Sequence, residues 1–223
     1  MTATTADDGT CRPTDGSSNH PPRMQQPKRR KFYLMEIRRG GGSGWTLLNG
    51  KILMGTMGSP DPFQRSFPDY GARPRFRVKA RSQRKFFDIR WMGDFWLVTD
   101  RAKAALTELS KTDFKFLAVD TEVDPGQPPL VLWLCDIATV LDAIDESRSQ
   151  VESGLSDEGY KVHWVSGISR LTFDEAVVGE HHAFRLLTNY TVIVTDDIFR
   201  DTIRKAGLTG LSYRDASKQL GER

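Results

Sequence analysis

The sequence predicts an α+β fold built on a largely antiparallel sheet, and three observations carry that expectation. Strand-like segments outnumber helical ones, roughly ten to two by periodicity. Connections outside two longer units have hairpin length. A strand-Thr-Asp-helix-strand unit occurs twice and supplies both helices.

Residues 1–31 contain five apolar side chains (Met1, Ala3, Ala6, Cys11, Met24). That is too few to offset ordering entropy, so a disordered tail is expected there. It ends in Lys28, Arg29, Arg30 and Lys31, a basic tetrad that suits an import signal, a nucleic-acid arm or a solvated linker edge. One domain is expected over 32–223, long enough to bury a core without disulfides or metal.

KFYLMEI at 31–37 reads as a strand buried on at least one side. WTLLNGKILM at 45–54 reads as a hairpin turning at Asn49-Gly50, because a type I′ turn needs positive φ at both positions. Residues 55–74 hold four prolines and three glycines and read as a loop, kept down by Phe63, Phe67 and Tyr70. At 75–81, Arg75, Arg77, Lys79 and Arg81 share one face of a period-two pattern, opposite Phe76, Val78 and Ala80. Arg73, Arg84, Lys85 and Arg90 would extend that cationic patch.

The first copy of the repeated unit is FWLVTD at 95–100, a helix, then FKFLAV at 114–119. The second is TVIVTD at 191–196, a helix, then LSYR at 211–214. Ala102, Ala105, Leu106 and Leu109 form one helical stripe; Phe199, Ile203 and Ala206 form the other. Thr99 with Asp100, and Thr195 with Asp196, are the expected N-terminal caps, and Gly207 the helix stop. Between the copies, PLVLWLCD at 129–136, YKVHWV at 160–165, SRLTFD at 169–174 and HAFRLL at 182–187 read as strands. ATVLDAID at 138–145 reads as one or two helical turns, and the polar stretch from Ser147 to Gly159 as loop.

Several function classes drop out. The longest apolar run, Leu130 to Cys135, is far short of a membrane span, and the N-terminus lacks the apolar core of a signal peptide. A cytoplasmic protein is the expectation. Two cysteines, Cys11 and Cys135, allow no disulfide framework and no cysteine zinc site. The phosphate-loop, serine-hydrolase, zinc-protease and dinucleotide motifs are not in the sequence. His181 and His182, adjacent on a strand, would face opposite sides and so not share a metal; His163, mid-strand, would be the one to reach either of them, and His20 lies in the tail. Asp142 and Asp145, with Glu146, would share a helical face, as a catalytic pair, a solvated acidic face or turn formers. No cofactor, metal or catalytic residue is expected.

The net charge of +3 conceals a division. Residues 1–99 carry 18 Lys/Arg against 8 Asp/Glu; residues 100–223 carry 14 against 21. The cationic strand admits three readings: nucleic-acid binding, an edge strand protected by charge, or the steering of a protein partner.

Taken in order, FYLM, GDFWLVTDRAKAAL, FKFLAV, LVLWLCDIATVLDAIDESRS, HHAFRLL and VIVTDDIFRDTIRKAGLTGLSY resemble a known family. The paired strand-Thr-Asp-helix units, Asp142 to Ser149, Phe184 to Leu186 and Ala206 to Leu211 carry the resemblance. The chain looks like a member of the bacterial polymorphic-toxin immunity protein family numbered eleven, over about residues 32 to 215. The Arg-rich stretch at 73–90 matches no pattern of that family. The resemblance implies a non-enzymatic protein that neutralises a cognate toxin by binding it, with Asp100 and Asp196 as caps, Gly207 as a helix stop and Phe184 and Leu186 as core. Partner-binding residues are then to be sought in Arg75, Arg77, Lys79 and Arg81, or in Asp142, Asp145 and Glu146. The alternative is a nucleic-acid-binding module using strand 75–81 and the basic tail.

Overall fold

A computed structural model describes residues 1–2, 29–37, 45–50, 65–79 and 87–220. The expected α+β class holds. Among the described residues run, in order, β1 (Phe32–Ile37), β2 (Trp45–Leu47), β3 (Arg75–Val78), β4 (Ile89–Met92), β5 (Phe95–Thr99), α1 (Asp100–Leu109), β6 (Phe114–Ala118), β7 (Asp120–Val123) and β8 (Leu132–Ile137). They are followed by β9 (Val140–Leu141), β10 (Glu152–Leu155), β11 (Lys161–Trp164), α2 (Glu175–Val178), β12 (Ala183–Leu186), β13 (Asn189–Asp196), α3 (Asp197–Lys205) and β14 (Leu211–Asp215).

The repeated unit is real in topology. One sheet has the order β4-β5-β8-β6, with β8 antiparallel to both β5 and β6. The five-stranded sheet has the order β14-β1-β13-β12-β9, with β1 antiparallel to both β13 and β14. In each copy, two parallel strands joined through a helix are thus split by one antiparallel strand drawn from elsewhere in the chain. Both sheets are buried on both faces, which is why their strands read as nearly continuous apolar runs.

The two helices fill the space between these sheets. Ala102 and Leu106 of α1 and Phe199 and Ile203 of α3 meet Trp96, Val98, Cys135 and Ile137 from one sheet and Ala183 and Ile193 from the other. The far face of the four-stranded sheet, with Phe95, Leu97, Leu132 and Leu134, is covered by Phe76 and Val78 of the small sheet β2-β3-β7 and by Tyr70. The far face of the five-stranded sheet, with Leu34, Phe184, Leu186 and Val194, packs on Ala143, Leu171, Phe173 and Val178.

Several local expectations need correction. Asn49 has no positive φ, so no type I′ turn forms there. β2 pairs antiparallel with β3, and the Asn49 side chain accepts from the Arg75 backbone N–H (2.8 Å) and donates to the Arg73 carbonyl (2.9 Å). The rest of that expected hairpin, 51–54, lies outside the described residues. A two-residue hairpin does occur at Gly93-Asp94, joining β4 and β5 with Gly93 at φ 61°. Residues 138–145 form no helix: Val140 and Leu141 pair parallel with β12. The polar stretch after Ser147 contains β10, and the 169–174 segment makes only isolated bridges at Arg170 and Phe173.

The caps divide unequally. Thr99 caps α1, its side chain accepting from the Ala102 N–H, with Asp100 as the first helical residue. In the second copy the cap is Asp196, accepting from Phe199 N–H at 2.8 Å. Thr195 is not a cap. It is fully buried in β13, and its Oγ1 makes no hydrogen bond. The two copies are therefore offset by one residue where strand gives way to helix. Thr99→Ala is expected to lower stability by about 1 kcal/mol and Asp196→Ala by about 2–4 kcal/mol, since Asp196 also holds His182 and Arg30. Thr195→Ala should change it by less than about 0.5 kcal/mol, because no hydrogen bond is lost. Urea unfolding of the three variants checks the order.

The helix stop at Gly207 is as expected. With Ala206 as the C-cap and Gly207 at φ 62°, Leu208 N–H bonds the Ile203 carbonyl and Gly207 N–H the Arg204 carbonyl, both at 3.0 Å. This is the Schellman pattern, which a left-handed glycine makes possible. Thr209 then ties to Asp88: its N–H and hydroxyl both donate to the carboxylate, at 3.0 and 2.9 Å. The same Asp88 accepts from the hydroxyl of the Thr99 cap at 3.0 Å. One carboxylate thus joins the start of α1 to the end of α3.

Burial pushes the Tyr70 phenol up to about 12, with the Asp136 charge adding to it, and raises Tyr213 as well. A raised pKa favours the neutral phenol in the folded state, so its contribution is complete below about pH 10 and is lost as pH climbs from there towards 12. The urea midpoint should fall across that window, and Tyr70→Phe should make the fall shallower.

Candidate binding surfaces

The period-two pattern at 75–81 folds as expected over β3: Phe76 and Val78 are fully buried while Arg75, Arg77 and the following Lys79 are exposed. Arg81, like Arg84 and Lys85, lies outside the described residues. The edge-strand reading is overturned, because β3 is the middle strand between β2 and β7. The parallel register sets Arg77 beside Glu122. That single carboxylate takes Arg75 at 2.6 Å and Arg77 at 2.8 Å, and Arg73 approaches Asp120 at 3.9 Å. Hydrogen bonding from Arg77 holds the Glu122 carboxyl below the usual range. The face alternates in sign instead of presenting a row of free cations. Arg90 does not extend it: it is buried, with its guanidinium 5.5 Å over the Phe87 ring.

Asp142, Asp145 and Glu146 follow β9 instead of sharing a helical face. Asp142 is exposed. Asp145 organises a turn: its carboxylate accepts from the Ser147 hydroxyl at 2.6 Å, its N–H bonds the Thr172 carbonyl, and Arg148 lies 3.7 Å away. Glu146 pairs with Lys161, which holds its carboxyl below the usual range, and lies 3.3 Å from His163 Nε2.

The two adjacent histidines part, although both precede β12 and do not lie on a strand. His181 Nδ1 meets the buried Asp113 at 2.5 Å, and His182 Nδ1 meets the buried Asp196 at 2.8 Å. Asp113 also accepts from Thr139 and from the backbone N–H groups of His182 and Ala183. His163 goes elsewhere; it is fully buried with Nδ1 at 2.6 Å from Thr188 Oγ1. Among the described residues no group of three His, Cys, Asp or Glu side chains is placed to hold a metal ion. Part of the basic tetrad is engaged with the fold: Arg30 donates to the carbonyls of Gly179 and His181 and to Asp196, and Arg29 pairs with Glu175 at 3.6 Å. Lys28 lies outside the described residues.

Two features escaped the sequence. Asp136, on β8, sits with Arg65 at 2.8 Å and Arg185 at 3.2 Å, all three nearly inaccessible. The β10–β11 ribbon exposes Leu155, Tyr160 and Trp164. The only sequence signal for the first is Arg185 inside an apolar run; alternation in YKVHWV suggests the opposite of the second.

Among the described residues, no helix is long and apolar enough to cross a membrane. A family model described as Immunity protein family (Imm11) matches residues 19–218. No curated protein matches the chain.

Proposed function

The chain belongs to the Imm11 immunity protein family, and from that premise we propose that it neutralises a cognate bacterial toxin by direct protein–protein binding, without catalysis, in the cytoplasm of the cell it protects. The family match over 19–218 carries the reading. The geometry supports it. The buried carboxylates Asp113, Asp136 and Asp196 are each held by two or more hydrogen bonds to histidine, arginine or backbone groups. Exposed charged groups, among them Lys79 and the acidic Asp142 and Glu146, suit fast, oriented association with a protein.

The nucleic-acid alternative loses support on the same surfaces. Phosphate binding draws on free cations, and Arg75 and Arg77 share Glu122 while Arg30 is tied to Asp196.

Co-expression with the product of the neighbouring gene tests the proposal. The expected result is rescue of growth and a complex that survives size-exclusion chromatography. Growth arrest with no complex would overturn it for that pair.

A further inference from the structure

The β10–β11 ribbon is pleated against its own hydropathy. In YKVHWV the apolar Val162 and Trp164 alternate with Lys161 and His163, so burial should favour the apolar side. The structure does the reverse: His163 is fully buried, whereas Trp164 is 50% exposed. Hydrogen bonds hold this arrangement. His163 N–H donates to the Thr188 carbonyl, its Nδ1 meets Thr188 Oγ1, and its carbonyl accepts from Asn189 Nδ2 at 3.0 Å. The outer face is thereby fixed in position before any partner arrives, which lowers the entropy lost on binding.

That outer face is shaped around the indole. Antiparallel pairing sets Trp164 opposite Glu152 and Gly154 opposite Val162, so the ring lies diagonally across Gly154. A Cβ at residue 154 would stand 2.5 Å from the ring, and glycine leaves the room it occupies. Towards the tip, Tyr160 on the same face is 65% exposed, while Leu155, paired with Lys161, is 70% exposed on the other face. Residues 142–164 carry six acidic side chains against two basic ones, and Lys161 is paired with Glu146. Glu152, Asp157 and Glu158 are exposed around the apolar cluster.

We propose that this ribbon is the toxin-docking surface, and that its occupant is a cationic protein surface with an apolar recess for Trp164. The proposal rests on the immunity reading. An exposed Trp and Tyr with an acidic surround is the arrangement of an interface centre: the aromatic side chains supply affinity, and the charges supply steering and orientation. The acidic stretch from Asp142 to Glu146 belongs to this surface as its flank, whereas the cations of β3 do not.

The probe is the neighbouring-gene polypeptide, titrated against wild type, Trp164→Ala, the double variant Asp157→Lys with Glu158→Lys, and Arg77→Glu as a control on the β3 face. Trp164→Ala should weaken Kd at least about 30-fold. The double variant should slow association and flatten its dependence on salt, and Arg77→Glu should leave Kd within about threefold. Gly154→Ala displaces the ring without removing it and should weaken Kd while leaving the urea midpoint unchanged. Wild-type binding that Trp164→Ala leaves unaltered overturns the docking surface and leaves the immunity reading standing. No binding by wild type overturns both. Self-association of the chain that Trp164→Ala abolishes also overturns the proposal, by making a second copy the occupant.

Discussion

Asp136→Ala is expected to cost about 3–5 kcal/mol of stability, equivalent to roughly 6–20 °C in Tm for a chain of this size. Asp136 lies on β8, fully buried, and accepts from Nε and Nη2 of Arg65 and from Nη2 of Arg185. Arg65 and Arg185 are themselves 2% and 3% exposed. Burial, followed by the neighbouring Arg65 charge, already pushes the Arg185 pKa down, and the Asp136 charge opposes that shift. Without the carboxylate, two buried cations face each other with only carbonyls as partners among the described residues: Asp94 for both, and Ile137 and Tyr190 for Arg185. Breaking a buried pair from one side is the costly direction, because the remaining charge cannot be resolvated. Asp136→Asn should lose nearly as much, since it keeps the shape but not the charge. Urea unfolding of both variants measures this; a loss under about 1 kcal/mol would show that water reaches the guanidiniums.

Gly210→Ala is the second large effect. Gly210 has φ 112°, and an added Cβ would sit 2.0 Å from the Ile89 carbonyl oxygen and 3.0 Å from Phe87 Cβ. The near atom is backbone, so no rotamer change relieves it. β4 would have to part from the segment after α3, breaking the Ile89 N–H to Thr209 carbonyl bond of 3.0 Å and loosening Thr209 from Asp88. Strain and overpacking together set the expected loss at about 3–5 kcal/mol. Gly207 is the control: its φ of 62° is equally left-handed, but a Cβ there meets nothing within 4 Å. Gly207→Ala should lose only about 1–2 kcal/mol. Comparable losses for the two variants would mean that conformation, not contact, makes residue 210 a glycine.

The AGLTGL stretch shows how far the sequence could be read. Its first glycine announced a helix stop, as found. Thr209 and the second glycine act through Asp88 and Ile89, 121 residues away in the case of Thr209, and no local pattern can show that. Period-two and helical stripes located both copies of the repeated unit because each buries a regular face. They failed where burial is decided by a distant partner. Residues 138–145 have an acceptable helical stripe, yet Val140 and Leu141 gain more by adding a parallel strand beside β12. Of the expected caps Thr195 and Asp196 only Asp196 serves, because β13 runs one residue further than β5 does before its helix. β10 was invisible, as Glu-Ser-Gly-Leu has no face to bury. The candidate cations were placed on the correct side of β3, but Glu122, which shares two of them, comes from a strand with no pattern to mark it.

The splitting of each parallel pair by a remote strand also sets a timetable for biosynthesis. β1 is made long before its neighbours, yet it is the middle strand between β13 and β14, and the Ser212 hydroxyl donates to the Glu36 carbonyl across 176 residues. At about 5–20 residues per second, that partner follows roughly 10–35 s later. The five-stranded sheet therefore closes only after β14 has been made, and it does so through contacts of high sequence separation, the slow kind. Until then Phe32, Leu34 and their neighbours are an unpaired apolar strand. The sheet cannot form as β1 is translated; it waits for β14 to arrive.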